Sequence, residues 1–244
     1  RFPHSDLDAL DRVLASLPES SGKLVIVDGV FSMGGDIAPL PDLVGVCRKH
    51  EARLMVDDAH AMGVLGGGRG TASEFDLTEG VDLTMGTFSK SFASLGGFIA
   101  GRHDVVDYIQ HHARSLIFSA SIPPANAAAA MAALDVMIEE PERVRRLIEI
   151  GAYMRERYRE MGFNIGASET PIIPIIIGDD DKTLFFWKAL FDAGVYTNPV
   201  LSPGVPQGFQ LLRTSYMATH TDEQLEKVLS TFRSVGTRLG VIQG

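Results

Sequence analysis

The chain has 244 residues, 45% of them hydrophobic and 22% charged, with a formal net charge of −9; that is enough to bury a sizeable core in one or two domains of a globular protein. The acidic balance disfavours a general nucleic-acid binder, and no apolar run approaches the ~20 residues of a membrane-spanning helix. The single cysteine, Cys47, rules out an internal disulfide and leaves a structural zinc site without its usual thiols, so it reads as a buried thiol in a reducing cytoplasm.

The opening "RFPHSDLDALDRVLASL" has no initiator methionine and no signal-peptide pattern. It enters a helical pattern directly, with Leu7, Leu10, Val13 and Leu14 as the apolar face and Ser5 or Asp6 as the cap. This is the expected appearance of a piece of a longer chain. The strand "KLVIVDG", the helical "PLPDLVGVCRKH" and the strand "RLMVDD" follow in βα alternation. After the glycine-rich "GGGRG" come the strands "VDLTMG" and "GGFIAG". Such an order implies a mainly parallel sheet covered on both faces, with chemistry at the carboxyl ends of its strands. Asp28, Asp57 and the segment after Met85 all fall at such ends.

From about Ile122 the texture changes to two long helices broken near Pro141. The strands "PIIPIII", "VYTNPV" and "FQLLRTSY" follow, with the helices "KTLFFWKALFDAG" and "TDEQLEKVLSTFRSVGTRL" between and after them. The expected organisation is α/β. Residues 1–139 form part of a large domain with a mainly parallel sheet, and residues 140–244 form a smaller C-terminal α+β domain.

Lys90 lies in "GTFSKSFASLGG", just past a strand and among Thr87, Ser89 and Ser91. Alone, a lysine is usually a solvated surface residue. In a semi-buried loop of small residues it is instead a candidate amine nucleophile, with hydroxyls and backbone N–H groups at hand for a phosphate. A strand-end carboxylate, Asp57, on a nearby strand adds the second half of a clamp. Pyridoxal phosphate needs this pair: a lysine to form the imine and a carboxylate to keep the pyridine nitrogen protonated. His60 would then reach the phenolic oxygen and Thr87 the phosphate, although a histidine just after a strand is more often a backbone-bonded structural residue. A nucleotide-driven motor would account for "VDDAH" but needs a GxxxxGK[ST] loop, which this sequence lacks. A metal site on Asp57, Asp58 and His60 has no further ligands to complete it.

The motifs "DGVFSMGGDIAPL", "VDDAHAMGVLG", "GTFSKSFASLGGFIAG", "FSASIPP" and "LLRTSYMATHT" resemble, in order and approximate spacing, those of the α-oxoamine synthases. These are fold-type I pyridoxal phosphate enzymes that join an amino acid to an acyl-CoA. The resemblance runs through the whole chain and covers roughly the last three-fifths of such an enzyme. It implies that Lys90 forms the imine, Asp57 meets the pyridine nitrogen and His60 the phenolate. It also implies that Ser32 lies near the ring, that Thr87 holds the phosphate, that Ser119 is donated across a homodimer interface, and that Arg213 pairs with the substrate carboxylate.

Asp58 stands where a glutamate is more usual, and the family's ring-stacking histidine and its phosphate loop fall outside this sequence, so a complete catalyst is not expected from these residues alone. The segment "TNPVLSPGVPQGFQLLRTSYMATHT" is most similar to bacterial members that condense serine with a long acyl chain for sphingolipid base synthesis. It lacks one branch's arginine and "PPATP" run. Alanine with a pimeloyl thioester, in biotin synthesis, is the second expectation. Glycine acyl transfer and a non-catalytic partner subunit are more distant ones.

Overall fold

The computed structural model describes residues 1–243 and divides into two units, residues 1–30 with 38–144 and residues 31–37 with 145–244. In the first unit, the Asp6 carboxylate caps helix α1 (Leu7–Ala15) by accepting the Ala9 N–H at 2.8 Å, which satisfies one of the orphan donors of the first turn. Of the apolar face expected from sequence, Leu10 and Leu14 are buried while Val13 is exposed.

Strand β1 (Leu24–Asp28), helix α2 (Leu40–Lys49) and strand β2 (Arg53–Asp57) then make a parallel βαβ unit. Leu40, Leu43, Val44 and Cys47 of α2 are buried; each leucine or valine so placed contributes roughly 1.5–3 kcal/mol relative to exposure. A glycine-rich turn and the short helix α3 (Thr71–Glu74) lead to strand β3 (Leu83–Thr87), which is parallel to β2. Strand β4 (Gly97–Gly101) closes the sheet antiparallel to β3, giving the order β1-β2-β3-β4.

The sheet departs from the expected two-sided cover. Val25, Leu54 and Val56 point to a buried face, whereas Leu24 and Ile26 on the opposite face are 53% and 57% exposed. Register places Arg53, Met55 and Asp57 on that second face as well. The candidate carboxylates therefore stand at the end of an open apolar sheet face.

Helices α4 (His103–His112) and α5 (Arg114–Ile117) fill a stretch that the sequence reading left unassigned. Neither buries a residue fully, so the periodic core signal that marks a helix is weak there. Helix α6 (Pro124–Glu139) starts with proline in its first turn, where the missing N–H is harmless. It is apolar all round, yet Met131, Leu134 and Ile138 remain exposed.

The second unit holds most of α7 (Glu142–Glu160), followed by β5 (Ile172–Ile176), α8 (Asp180–Asp192), β6 (Asn198–Val200), β7 (Leu211–Ser215) and α9 (Asp222–Arg238). Its three strands are all antiparallel in the order β5-β7-β6. Tyr158, Phe163, Phe186 and Phe232 pack together, mostly edge to face, at the centre of its core. The "TDEQ" segment closes a capping box, with Thr221 and Gln224 exchanging side-chain and backbone hydrogen bonds.

The division differs from the sequence boundary at residue 140 in two ways. It lies between Val144 and Arg145, and it assigns residues 31–37, sequence neighbours of β1, to the second unit. Hydrogen bonding accounts for the second difference: the Gly35 carbonyl accepts from Glu169 N, Thr170 N and Thr170 Oγ1 at 3.0, 3.1 and 2.9 Å.

Candidate active site

Parallel register sets one row across the first unit's sheet: Asp28 pairs with Asp57, and Asp57 with Met85. Both acids thus lie side by side at the carboxyl ends of their strands and point to the same face. Burial pushes the Asp28 carboxyl up, and the Asp57 charge adds to that while the Lys90 charge opposes it. Asp28, Asp57 and Lys90 therefore share one electrostatic environment. The sequence reading placed Asp28 at a strand end but gave it no role. The signal was available, because "VIVDG" repeats the apolar-run-then-acid pattern of "LMVDD".

Immediately after β2 the chain turns back, with the Asp57 Oδ1 accepting the Ala59 N–H at 2.9 Å. That turn carries His60, which is partly buried. Asp58 faces away from Asp57 and is 1% exposed, as strand alternation requires. Its Oδ2 accepts the Thr71 N–H at 2.9 Å, so it ties the turn to the start of α3. Its Oδ1 and the Thr71 hydroxyl are buried without hydrogen-bond partners. Burial raises this carboxyl's pKa.

The Lys90 loop leaves β3 and returns to β4. Phe88 N donates to Gly96 O at 2.9 Å and Ser94 N to Phe88 O at 2.7 Å. Two further hydroxyls fasten it to its surroundings: Ser91 Oγ donates to Met62 O at 2.8 Å and Ser94 Oγ to Asn126 O at 2.6 Å. Gly63 permits the first of these approaches. Its φ is +77°, and a Cβ there would stand 2.5 Å from the Ser91 side chain.

The semi-buried setting expected for Lys90 is not what is found. Ser89, Lys90 and Ser91 are all exposed, because loop ends are fastened by their hydroxyls while the lysine projects outward. The Thr87 hydroxyl donates to Gly96 O at 3.1 Å and stands 2.8 Å from Ser89 Oγ. Thr87 has a single hydroxyl hydrogen, so Ser89 is the donor of that pair. Ser89, one of the hydroxyls expected near Lys90 for a phosphate, thus belongs to the same cluster as Thr87.

Beside this loop lies an apolar groove of about 600 Å³. Phe88 and Phe92, which flank Lys90 in sequence, line it together with Ile122, Met131, Leu134 and Met137.

The remaining expected site residues fall elsewhere. Ser119 is exposed, with its hydroxyl turned back to the Ser115 carbonyl. Ser32 and Arg213 both belong to the second unit, where Arg213 Nε donates to Ser32 O at 2.6 Å. Burial lowers the pKa of the Arg213 guanidinium, with no neighbouring charge contributing. The first unit thus gathers Asp57, His60, Thr87 and Lys90, and the second gathers Ser32 and Arg213. Among the described residues, no cluster of His, Cys, Asp and Glu is suited to a metal ion.

A family model described as aminotransferase class I and II matches residues 1–232. The chain belongs to that family. It is 50% identical over 238 residues to a serine palmitoyltransferase of Sphingobacterium spiritivorum, a match covering 96% of this chain and 60% of the relative. An 8-amino-7-oxononanoate synthase of Petrotoga mobilis is 43% identical over 244 residues, covering 99% of this chain and 62% of that protein. A solved serine palmitoyltransferase from S. paucimobilis, with bound PLP-myriocin aldimine, aligns with a TM-score of 0.95 at 36% identity and covers 99% of this chain and 62% of that one. The chain therefore spans about three-fifths of the length of these relatives. The α/β fold with a mixed, mainly parallel sheet is the fold-type I architecture that the motif resemblance implied.

Proposed function

We propose that the full-length protein is a pyridoxal-phosphate-dependent acyltransferase of the α-oxoamine synthase kind. It condenses an amino acid, L-serine, with a long-chain acyl-CoA to give a 3-oxo amine. A carbon–carbon bond forms between the amino-acid Cα and the acyl carbonyl carbon, the thioester C–S bond breaks to release the CoA thiol, and the carboxylate leaves as carbon dioxide.

The observation that carries this reading is the strand-end row of Asp28 and Asp57 with Lys90 and the Thr87–Ser89 hydroxyls beside it. The residues fit the cofactor's four functional groups. Asp57 is the partner for a protonated ring nitrogen, Lys90 offers an exposed amine to the carbonyl carbon, and Thr87 and Ser89 bring hydroxyls to the phosphate. His60, on the turn directly after Asp57, takes the phenolic oxygen. When bound, the cofactor supplies an electron sink for the negative charge that develops at the amino-acid Cα.

Arg213 would take the substrate carboxylate in this reading, a bidentate task suited to guanidinium, and Ser32 would be a residue near the cofactor ring. The long acyl chain is supported by the relative of Sphingobacterium spiritivorum and by the apolar groove beside the Lys90 loop. Ser119 sits next to Leu116, Ile117 and Phe118, which are 52%, 50% and 83% exposed. Such a patch calls for a cover, and a homodimer in which Ser119 serves the partner's site supplies one. No helix among the described residues is long and apolar enough to cross a membrane, and a cytoplasmic location accompanies the reading.

The 43% identity to an 8-amino-7-oxononanoate synthase favours a second reading, alanine with a pimeloyl thioester. Incubation of the full-length protein and pyridoxal phosphate with serine, alanine or glycine and a series of acyl-CoAs, with products identified by mass, separates the two. A product from serine and palmitoyl-CoA is expected. A product only from alanine and the pimeloyl thioester would replace the first reading with the second.

A further inference from the structure

The turn of residues 31–37 closes on itself through Phe31 N to Asp36 O at 3.0 Å and Gly35 N to Phe31 O at 2.8 Å. One side is fixed to the approach to β5. There Gly35 O accepts three hydrogen bonds from Glu169 and Thr170, and the Glu169 carboxylate accepts Ile37 N–H at 3.3 Å. The approach is close enough to demand glycine: Gly35 has φ +68°, and a Cβ would stand 1.9 Å from Ile172 O. On the other side, Ser32 O receives the Arg213 Nε–H at 2.6 Å.

That last bond restricts what Arg213 can do. A guanidinium binds a carboxylate in two planar ways, through Nε with one Nη or through its two Nη groups. With Nε engaged by a backbone carbonyl, only the Nη1–Nη2 end remains for a bidentate partner. Arg213 lies mid-strand in β7, opposite Pro174 and Asn198. No carboxylate among the described residues contributes to its charge environment.

We propose that the turn of residues 31–37 is a positioning device for substrate recognition, in which the Ser32 carbonyl fixes the rotation of the Arg213 guanidinium and offers the amino-acid carboxylate only its Nη1–Nη2 end. Thr170, whose hydroxyl and N–H both hold the Gly35 carbonyl, acts as a positioning residue without touching substrate. The inference rests on the reading of Arg213 as the carboxylate's partner.

The test uses the full-length protein loaded with pyridoxal phosphate and reads dissociation constants by calorimetry. Two ligands are compared: L-serine, and 2-aminoethanol, which lacks the carboxylate. Thr170→Val is expected to weaken serine binding roughly two- to tenfold, the effect of losing one buried hydrogen bond, and to leave 2-aminoethanol unchanged. Thr170→Ser, which keeps the hydroxyl, restores serine binding. Glu169→Ala, at an exposed position, gives a smaller loss in the same direction and serves where Thr170→Val folds poorly. In an Arg213→Ala background Thr170→Val adds no further loss, because the two residues act on one contact.

Equal weakening of both ligands, or losses that add in the double variant, would overturn the positioning role while leaving Arg213 in place. If Arg213→Ala alone leaves serine binding intact, the reading of Arg213 fails first, and this inference with it.

Discussion

Asp58→Asn is expected to stabilise the first unit near neutral pH, although it alters a buried acid next to the proposed cofactor partner. Asp58 is 1% exposed, and only its Oδ2 has a partner, the Thr71 N–H. Oδ1 and Thr71 Oγ1 both crowd Gly29, 2.1 and 2.2 Å from the point where a Cβ there would lie, and burial raises the carboxyl's pKa against the smaller, opposing pull of the Thr71 hydroxyl and N–H. Asparagine can accept the Thr71 N–H through its oxygen and donate its Nδ2 to the Thr71 hydroxyl. The substitution keeps that partner and removes a charge that burial disfavours.

The sign of the pH dependence follows from the direction of the shift. Burial raises the folded-state pKa of Asp58 above its unfolded value, so the folded state holds this proton more tightly. Stability from this group is fully present below the unfolded pKa and is lost as pH rises through the folded one, at about 1.4 kcal/mol per pH unit where the states differ by one proton. The Asp58→Asn advantage should therefore be largest at neutral pH and narrow as pH falls towards the ordinary carboxylate range.

Two units make a single global unfolding curve ambiguous. Amide hydrogen exchange of peptides covering residues 54–75 reads the local opening directly. Faster exchange in Asp58→Asn at pH 7, or a wild-type/variant difference independent of pH, would show that the carboxylate is charged and well paired in the native state.

Lys90→Ala should abolish the imine absorption band of the full-length protein, and borohydride reduction of the unaltered protein should fix the cofactor on the Lys90 peptide; an adduct on Lys23 instead would refute the assignment. Asp57→Asn should retain cofactor yet slow exchange of the substrate α-proton, each tenfold loss corresponding to about 1.4 kcal/mol of transition-state stabilisation; unchanged exchange would remove Asp57 from the pyridine nitrogen. Mixing Lys90→Ala with Ser119→Ala chains should restore partial activity, since a mixed dimer holds one site with neither defect; no recovery despite confirmed subunit exchange would rule out a cross-interface Ser119. Cys47, whose thiol is buried and pushed up to about 11, should resist alkylation at pH 8 until the protein unfolds, and labelling of the native protein at the rate of a free thiol would contradict that burial.

Most elements were legible because their apolar spacing coincides with a buried face. Helix α2 shows this in Leu40, Leu43, Val44 and Cys47, and β5 in its run of isoleucines. Helix α4 was not legible, since Val105, Val106 and Ile109 bury no residue fully and carry too faint a pattern. Sequence adjacency also misled at residues 31–37. Those residues follow β1 directly, but their hydrogen bonds go to Glu169, Thr170 and Arg213, more than 130 positions away. Only three-dimensional pairing reveals that allegiance.

At the candidate site, residue types were easier to read than their surroundings. The acid and lysine could be picked out as a pair, because strand-end polar residues interrupt apolar runs. Register could not, and register is what places Asp28 beside Asp57. Burial pushes the Asp28 carboxyl up, and the neighbouring Asp57 charge adds to that. In the proposed reading that strand-end row meets a cationic ring nitrogen at Asp57 and an electrophilic carbon near Lys90. The pairing of the strands thus adds a second acid beside Asp57 that the motif "VDDAH" alone does not reveal.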